Sequence, residues 1–237
     1  MTITATQPFT GFPAEGLAFL DGLREDNTKA FFEAHRTTYE TALLAPARAF
    51  VVALGDELRS RVSPGIRAEP RVDGSILRMN RDTRFHHDKR PYKDHLDLVL
   101  WEGEAHSRER AGFFVRLRPE GVELSAGMRR FERPALDAYR AAVLDEHTGP
   151  ALEEAVARAT ARRGVALEPA NWKRAPRGYD PDHPRVALLL HGGLYAEGRW
   201  AVPRVIAKPA FVAWAAERLE GMAPVERWLT GVLDAAS

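Results

Sequence analysis

Residues 113–126 read FFVRLRPEGVELSA, and this stretch decides the class of fold. Apolar and polar side chains alternate over Phe113–Arg118 and again over Val122–Ala126, which is the two-residue period of a strand with one buried face. Residues 119–121, Pro-Glu-Gly, separate the two runs, and the glycine suits a turn position of positive φ. The sequence therefore predicts a β-hairpin here, with its glycine at positive φ.

Two further strands are predicted before this hairpin, at Ile76–Asn80 and His95–Trp101, because their residues alternate in the same way. The residues N-terminal to Ser63 have helical spacing instead, and Asp26-Asn27 there offers a stop followed by a new N-cap. Apolar residues at this spacing predict N-terminal helices over Leu17–Leu23, Phe31–Leu43 and Pro46–Leu58.

Helical patterns return after the hairpin. They predict helices at Pro134–His147, Leu152–Gly164, Pro209–Leu219 and Val225–Leu233. Leu194–Ala196 and Arg199–Val202 flank Glu197-Gly198 like a second small hairpin, and Val186–Leu190 is a buried element of either type.

The order of helices, strands and helices predicts an α+β fold. We expect an N-terminal helical layer, a central, mainly antiparallel sheet and C-terminal helices. The absence of a linker or a repeat predicts a single domain over residues 1–237, with residues 1–10 frayed.

Composition excludes several classes of protein. The chain has 34 Lys and Arg against 33 Asp and Glu, a net charge of +1 that does not fit a polybasic nucleic-acid coat or an acidic tail protein. It has no cysteine, which excludes disulfide scaffolds, thiolate metal sites and cysteine nucleophiles. The longest apolar runs are far shorter than the roughly 18–20 residues of a membrane span, and residues 1–10 lack the pattern of a signal peptide. We expect a cytoplasmic protein without a membrane segment.

Residues 76–95, ILRMNRDTRFHHDKRPYKDH, concentrate unusual chemistry, and we name this stretch the island. It holds six Arg or Lys, three Asp and three His. A strand at its start places an arginine among apolar neighbours, where it needs a carboxylate or a bound anion. Asp82 and Asp88 are the nearest carboxylates, and two interpretations follow. Either they occupy the arginine donors in an internal ion-pair network, or several cations are left to converge on a ligand anion.

The spacing within the island resembles a known family. Arg78-x-x-Arg81-Asp82-x-Arg84-Phe85-x-x-Asp88-Lys89-x-x-Tyr92 is similar to the hallmark of the widespread bacterial family named domain of unknown function 2461. The resemblance extends to Asp26-Asn27 with Phe31-Phe32, to Pro91-Tyr92-Lys93 and to the loop Pro176–Pro184, although Asp26 stands where Asn is common and Phe31 where Trp is expected. It implies no activity, substrate, cofactor or catalytic residue that transfers to this chain.

A second loop has a composition like that of the island. Residues 171–185 combine aromatic side chains with cations and rigid Pro and Gly. Such a loop either walls a pocket over the island, with a ring stacking on a ligand base, or covers an edge of the sheet. The candidate ligand-binding residues of the island and this loop are Arg78, Arg81, Arg84, Lys89, Tyr92, Lys93, Trp172, Arg177 and Tyr179. Catalytic residues are not assigned, and Asp82 and Asp88 are the candidates, ion-pair orientation being their favoured role.

Motifs for other chemistry are missing. The chain lacks Gly-x-Gly-x-x-Gly, a P-loop and Gly-x-Ser-x-Gly. His86 and His87 are adjacent, so they point apart in an extended chain and do not form a ligand pair. We therefore predict neither a metal site nor a cofactor.

The leading hypothesis is an anion pocket for a phosphate-bearing small molecule or nucleotide, with enzymatic turnover left open. The first alternative is a non-enzymatic interaction or scaffold domain whose Arg and Asp residues form an internal ion-pair network. Nucleic-acid binding is the second alternative, which the net charge disfavours and the local basic patch allows. The oligomeric state is not predicted.

Overall fold

A computed structural model of the chain describes residues 7–82, 84, 88–103 and 110–236. Its N-terminal part is helical, as predicted. The helical segments are α1 (Ala14–Glu25), α2 (Lys29–Ala34), α3 (Arg36–Thr38), a π-helical segment (Tyr39–Leu44) and α4 (Ala45–Arg61). The N-cap of α2 is Thr28 instead of the predicted Asn27, because the Thr28 hydroxyl accepts the Phe31 backbone N–H at 3.1 Å.

The strands of the described residues form an antiparallel sheet, which confirms the α+β class with its central sheet. They are β1 (Ile66–Arg67), β2 (Leu96–Glu102), β3 (Gly112–Arg118), β4 (Gly121–Met128), β5 (Val165–Leu167) and β6 (Leu194–Ala201). Their order across the sheet is β1-β2-β3-β4-β6-β5. In the last pair, Val165 lies opposite Gly198 and Leu167 opposite Ala196.

The remaining helices complete the fold. They are α5 (Arg133–Leu144), α6 (Thr148–Thr160), α7 (Val186–Leu189) and α8 (Phe211–Ala235). The prediction of two C-terminal helices is wrong, because α8 runs through Pro224. Met222, Ala223 and Val225 around that proline are fully buried, so packing holds the helix together where proline removes a hydrogen bond. Within the described residues, no helix combines the length and the apolar character needed to cross a bilayer.

The prediction of a second hairpin, over residues 194–202, is also wrong. Glu197 and Gly198 lie inside the continuous strand β6, because Glu197 is buried against Arg129 and Gly198 pairs with β5. Ile76–Asn80 is not a regular strand either. Ile76 and Asn80 form only isolated bridges, to Leu98 and Tyr92 among others.

The predicted hairpin of β3 and β4 is confirmed, but its glycine has another reason to be there. Gly121 does not have the predicted positive φ. A Cβ at this position would overlap the backbone carbonyl of Trp200 in β6, so close approach of two strands requires the glycine.

Two compact units share the chain, and the one-domain interpretation stays a prediction. The first unit comprises Met1–Leu100, Phe114–Glu123 and Arg199–Glu217. An aromatic group in its core has ring centroids 5.1–6.0 Å apart and consists of Phe9, Phe12, Phe50 and Phe211. The fraying predicted for residues 1–10 therefore does not include Phe9, and residues 1–6 lie outside the described part of the chain.

The second unit comprises Trp101–Phe113, Leu124–Gly198 and Arg218–Ser237. Its core surrounds Tyr139 of α5, whose ring is fully buried and lies 4.7 Å from the ring of Phe131. The Tyr139 hydroxyl donates to the Leu188 carbonyl at 2.8 Å, which ties α5 to α7.

Candidate functional site

Charged side chains occupy one face of the sheet in the first unit. In β3, Val115 and Leu117 are buried, whereas Arg116 and Arg118 point to the opposite face. These arginines meet carboxylates of the neighbouring strands and of the segment that leads into β2. We name this group the sheet cluster; it consists of Lys93, Asp94, His95, Asp97, Arg116, Arg118 and Glu123.

Asp97 is the most heavily shared carboxylate of the sheet cluster. Its Oδ1 accepts a hydrogen bond from Arg116 Nε at 2.6 Å, and its Oδ2 accepts one from Lys93 Nζ at 3.1 Å. The same Oδ2 lies 3.4 Å from His95 Nε2. The Asp97 side chain is only 13% exposed. Three donor groups therefore converge on one carboxylate with little water present.

The other two carboxylates of the sheet cluster hold its remaining donors. Glu123 accepts from Arg118 Nε at 2.8 Å and lies 3.7 Å from Arg116 Nη1. Asp94 Oδ1 lies 2.8 Å from His95 Nδ1 and 3.8 Å from Arg118 Nη1. Each ring nitrogen of His95 thus faces a carboxylate, and each arginine of β3 contacts two of them.

Both aspartates of the sheet cluster stay ionised at neutral pH. Burial alone would raise the pKa of Asp97, but hydrogen bonds from His95 and Arg116, together with the Arg116 charge, hold that pKa well below its usual range. Burial would likewise raise the pKa of Asp94, and the hydrogen bond from His95 with the charge of Arg118 lowers it overall. These carboxylates accept hydrogen bonds and orient cations, and they hold no proton to donate.

The island leads directly into the sheet cluster through a short two-stranded ribbon. Arg81 N–H donates to the Pro91 carbonyl and Lys93 N–H to the Met79 carbonyl, each at 2.8 Å. Asn80 and Tyr92 form an antiparallel bridge between these two bonds. The ribbon brings the two ends of the island together, so Arg81 and Lys93 lie on its two neighbouring segments.

The N-terminal helices fix this ribbon in place. Asn27 Nδ2 donates to the carbonyls of Leu23, at 2.8 Å, and Tyr92, at 3.1 Å, while Asn27 Oδ1 accepts the Tyr92 N–H at 2.9 Å. The Tyr92 ring is 7% exposed and stacks on Phe32 with centroids 4.4 Å apart. Tyr92, a predicted ligand contact, therefore has extensive structural contacts of its own.

Arginines of the island contact aspartates that lie close in sequence. Arg81 Nη1 donates to Asp88 at 2.5 Å, and Arg90 donates to the same carboxylate at 2.8 Å. Arg84 donates to Asp82 through Nε at 2.9 Å and Nη2 at 2.8 Å. One carboxylate, that of Asp88, is therefore shared by two guanidinium groups.

The buried arginine predicted at the start of the island is not found. Arg78 is 65% exposed and pairs with Asp73 at 2.5 Å, because residues 76–80 lack the regular alternation of a strand. The side chains of Arg81 and Asp88 are about one-third exposed. Hydrogen bonds from Arg90, first of all, and from Arg81 hold the pKa of Asp88 well below its usual range, so this catalytic candidate is an ionised hydrogen-bond acceptor with no proton to donate.

The second predicted ligand loop lies in the second unit, whereas the island lies in the first. Trp172 and Tyr179 face Arg140 of α5, with the guanidinium carbon 5.0 Å and 5.5 Å from their ring centroids. Arg177 is exposed between them in sequence. The two rings thus hold a cation of the protein itself on at least one face.

Sequence reasoning did not name Asp94 and His95 of the island as site residues. It also missed the four members of the sheet cluster outside the island: Asp97, Arg116, Arg118 and Glu123. All four lie on predicted strands, at positions whose strand neighbours are apolar. The signal was three neighbouring strands that each carry charges on their polar face, since opposite charges on adjacent strands are expected to pair. What the sequence does not show is how far this face is withdrawn from water.

Other features bear on cavities and metals. A groove of about 600 Å³ in the first unit is lined by residues from the ranges 7–13 and 41–49 and by Ala207, none of them in the island or the sheet cluster.

In the described part of the chain, His, Asp and Glu side chains form no group of three suited to a metal ion. His86 and His87 lie outside the described residues, and the prediction of no cofactor stays a prediction.

Comparisons with known proteins extend these observations. The sequence model of a family described as conserved hypothetical protein (DUF2461) matches residues 15–228, which is nearly the whole chain. No curated protein and no solved structure matches the chain significantly.

Proposed function

This chain belongs to the DUF2461 family of conserved hypothetical proteins, and we propose that it binds a phosphate-bearing small molecule or nucleotide. The sheet cluster and the island supply the cations for this anion. Lys93 and Arg116 contribute from the partly buried sheet face, and Arg81, Arg84 and Lys89 from the island.

Shared carboxylates are the observation that carries the proposal. Asp97 forms ion pairs with both Lys93 and Arg116, and Asp88 forms them with both Arg81 and Arg90. One carboxylate balances one cation, so the two guanidinium groups that share Asp88 keep part of their charge uncompensated, whereas Arg116 at Asp97 also has Glu123 at 3.7 Å. At Asp97 these groups are only 13–24% exposed, where water screens them weakly. A bound anion is the natural group to complete this balance.

The geometry favours a compact phosphate over a long polyanion at this site. Guanidinium groups grip phosphate oxygens with two parallel donors, and an ammonium group adds a point charge. The cations around Asp97 are withdrawn into the sheet face, where a single phosphate group has better access than a nucleic-acid strand. Cytoplasmic localisation remains an expectation that suits a phosphorylated metabolite.

The proposal is tested by thermal unfolding and calorimetry with inorganic phosphate, pyrophosphate, nucleotides and sugar phosphates at fixed ionic strength. A ligand at 100 times its dissociation constant should stabilise the wild type by about 2.7 kcal/mol. We expect Arg84→Ala, which removes a side chain 77% exposed, and Lys93→Ala to stay folded and to lose the shift. Arg158→Ala, which removes a 63% exposed arginine of α6, is the control and should keep it. No shift with any compound, or an equal shift in all variants, would overturn the proposal.

A second candidate is a non-enzymatic interaction domain in which the island is internal structure. One observation favours it: Arg78, Arg81, Arg84 and Arg90 each contact an aspartate. In this case Arg81→Ala should lower the free energy of unfolding, and none of the phosphate compounds should stabilise the wild type. A ligand-dependent shift that Lys93→Ala abolishes without unfolding would decide against this candidate.

A further inference from the structure

The loop Trp172–Tyr179, WKRAPRGY, differs from the island in the state of its cations, and we name it the basic loop. Lys173, Arg174 and Arg177 are exposed. No carboxylate of the described residues lies within ion-pair distance of any of the three. In the island every arginine has an aspartate beside it, whereas the three cations of the basic loop have no carboxylate at that distance among the described residues.

The basic loop is anchored to the segment 190–192 at its start and contains a hydrogen-bonded turn at its end. At its start, the N–H groups of Asn171 and Trp172 donate to the Leu190 carbonyl at 2.9 and 3.1 Å, and Asn171 Oδ1 accepts the Gly192 N–H. At its end, the Tyr179 N–H donates to the Pro176 carbonyl, in a turn that Gly178 completes with a φ of +90°. The three cations are therefore carried by an anchored loop instead of a free chain.

Arg140 closes the basic loop from the side of α5. Its guanidinium carbon lies 5.0 Å from the Trp172 ring and 5.5 Å from the Tyr179 ring, so the two rings are at most about 10.5 Å apart. Arg140 has no carboxylate partner among the described residues, and its buried Nε has no hydrogen-bond acceptor there. A fourth cation thus adds to the three of the loop, beside a Trp172 side chain that is 39% exposed.

We propose that the basic loop binds single-stranded nucleic acid, with Lys173, Arg174 and Arg177 on backbone phosphates and Trp172 stacking on a base. Cations spread along five residues suit a chain of spaced phosphates better than one small anion, which needs converging donors. An exposed indole beside these cations favours bases over an acidic peptide, because every base offers a face for stacking. This surface is independent of the phosphate site proposed in the first unit.

Acidic residues limit the size of this footprint. Asp180 and Asp182 follow the basic loop directly, and Asp180 accepts the Asp182 N–H in a turn. Both carboxylates border the three cations along the chain, so the footprint counted here is the three cations of the loop. Three phosphate contacts to a single strand correspond to a slope of about −2 in a plot of log affinity against log salt.

The test is fluorescence anisotropy with a fluorescein-labelled 12-nucleotide RNA of mixed sequence, between 30 and 200 mM salt, on the full chain. We expect the variant Lys173→Ala, Arg174→Ala, Arg177→Ala to bind about 100-fold more weakly at 0.1 M salt and to lose the salt slope of about −2. The matched control removes three exposed arginines of the second unit that have carboxylate neighbours. It is Arg130→Ala, Arg133→Ala, Arg158→Ala and should bind like the wild type.

Further variants and a competitor test whether Trp172 stacks on a base and whether the loop prefers RNA to an acidic polypeptide. Trp172→Phe should keep most of the affinity and Trp172→Ala should lose about tenfold, if stacking contributes. The proposal is overturned if the wild type fails to bind RNA at 30 mM salt, if the two triple variants bind equally, or if polyglutamate displaces the RNA at equal charge concentration. Lys93→Ala should leave RNA binding unchanged, so failure of the phosphate site and failure of the basic loop are distinguishable.

Discussion

Glu226 provides a prediction about pH that does not depend on any ligand. This residue of α8 is completely buried. Its Oε1 accepts a hydrogen bond from the Thr230 hydroxyl at 3.0 Å, while Oε2 has no partner among the described residues. Burial raises the pKa of Glu226 to about 7, against the opposing hydrogen bond of Thr230 and with the added effect of the Glu102 charge. The carboxyl group therefore keeps its proton well into the neutral range.

The size of the effect follows from linkage. The folded protein releases this proton near pH 7, whereas the unfolded chain releases it near pH 4.5. The folded state thus binds more protons between these values, so the free energy of unfolding falls as pH rises through them. The full difference corresponds to about 3 kcal/mol, of which about 2 kcal/mol is lost between pH 5.5 and 8.5.

The assay is urea unfolding of the wild type and Glu226→Gln at half-unit steps from pH 5.5 to 8.5. Glutamine keeps the shape of the protonated side chain and cannot ionise. We expect the stability of the variant relative to the wild type to increase by about 2 kcal/mol across this range. Other titrating groups act equally in both proteins and cancel in the difference.

Glu217→Gln is the control, because Glu217 lies on the same helix and is exposed. It removes one carboxylate of α8 without changing the buried position, and its pH profile is the reference for that of Glu226→Gln. Parallel profiles for Glu226→Gln and the wild type would refute the reasoning, and so would a variant whose relative stability falls as pH rises.

Further substitutions test the contacts that position the site, all by urea unfolding at pH 7 unless stated. Asn27→Ala removes three hydrogen bonds, two of them to the Tyr92 backbone, and should cost about 2–3 kcal/mol; wild-type stability would contradict this. Asp97→Asn removes the carboxylate that Lys93 contacts and leaves Arg116 with Glu123 at 3.7 Å, and it should cost about 3–5 kcal/mol. The pKa of Asp97 is lowered on folding, so its contribution to the free energy of unfolding is present above about pH 4 and disappears as pH falls further. Asp97→Asn should therefore lack this loss of stability in acid. Arg78→Ala removes an exposed pair and should change stability by less than about 0.5 kcal/mol, and a larger loss would show a structural role. Gly127→Ala should cost at least about 3 kcal/mol, because Gly127 has a φ of +134° and its Cβ would overlap a carbonyl of β6.

Local patterns predicted the fold wherever one side of an element faces the core. The alternation in β3 and β4 and the helical spacing of the N-terminal segments correctly placed these elements. The predictions failed where long-range packing overrides a local breaker. Pro224 does not end α8, and Glu197-Gly198 does not turn the chain, because buried neighbours on both sides keep each element continuous.

In the candidate site, too, local features were predicted and contacts between distant residues were not. The island was recognisable because its residue types and spacing are unusual along the chain, and its arginines and aspartates do pair locally, within two to seven residues. The sheet cluster joins residues from positions 93 to 123, and its members outside the island lie in strands of ordinary alternating pattern. Its members become a site only when adjacent strands bring the Arg116 guanidinium to 2.6 Å from Asp97 and 3.7 Å from Glu123.

The sequence by itself determined the α+β class, the two strands of the central hairpin, the family and the position of the island. These depend on short-range periodicity and on residue identity, which are written along the chain. Tertiary structure alone decided which carboxylates each cation meets, that Trp172 and Tyr179 enclose Arg140, and how much water each charge keeps. Pairing and desolvation depend on distances between residues remote in sequence, and these distances exist only after the chain has folded.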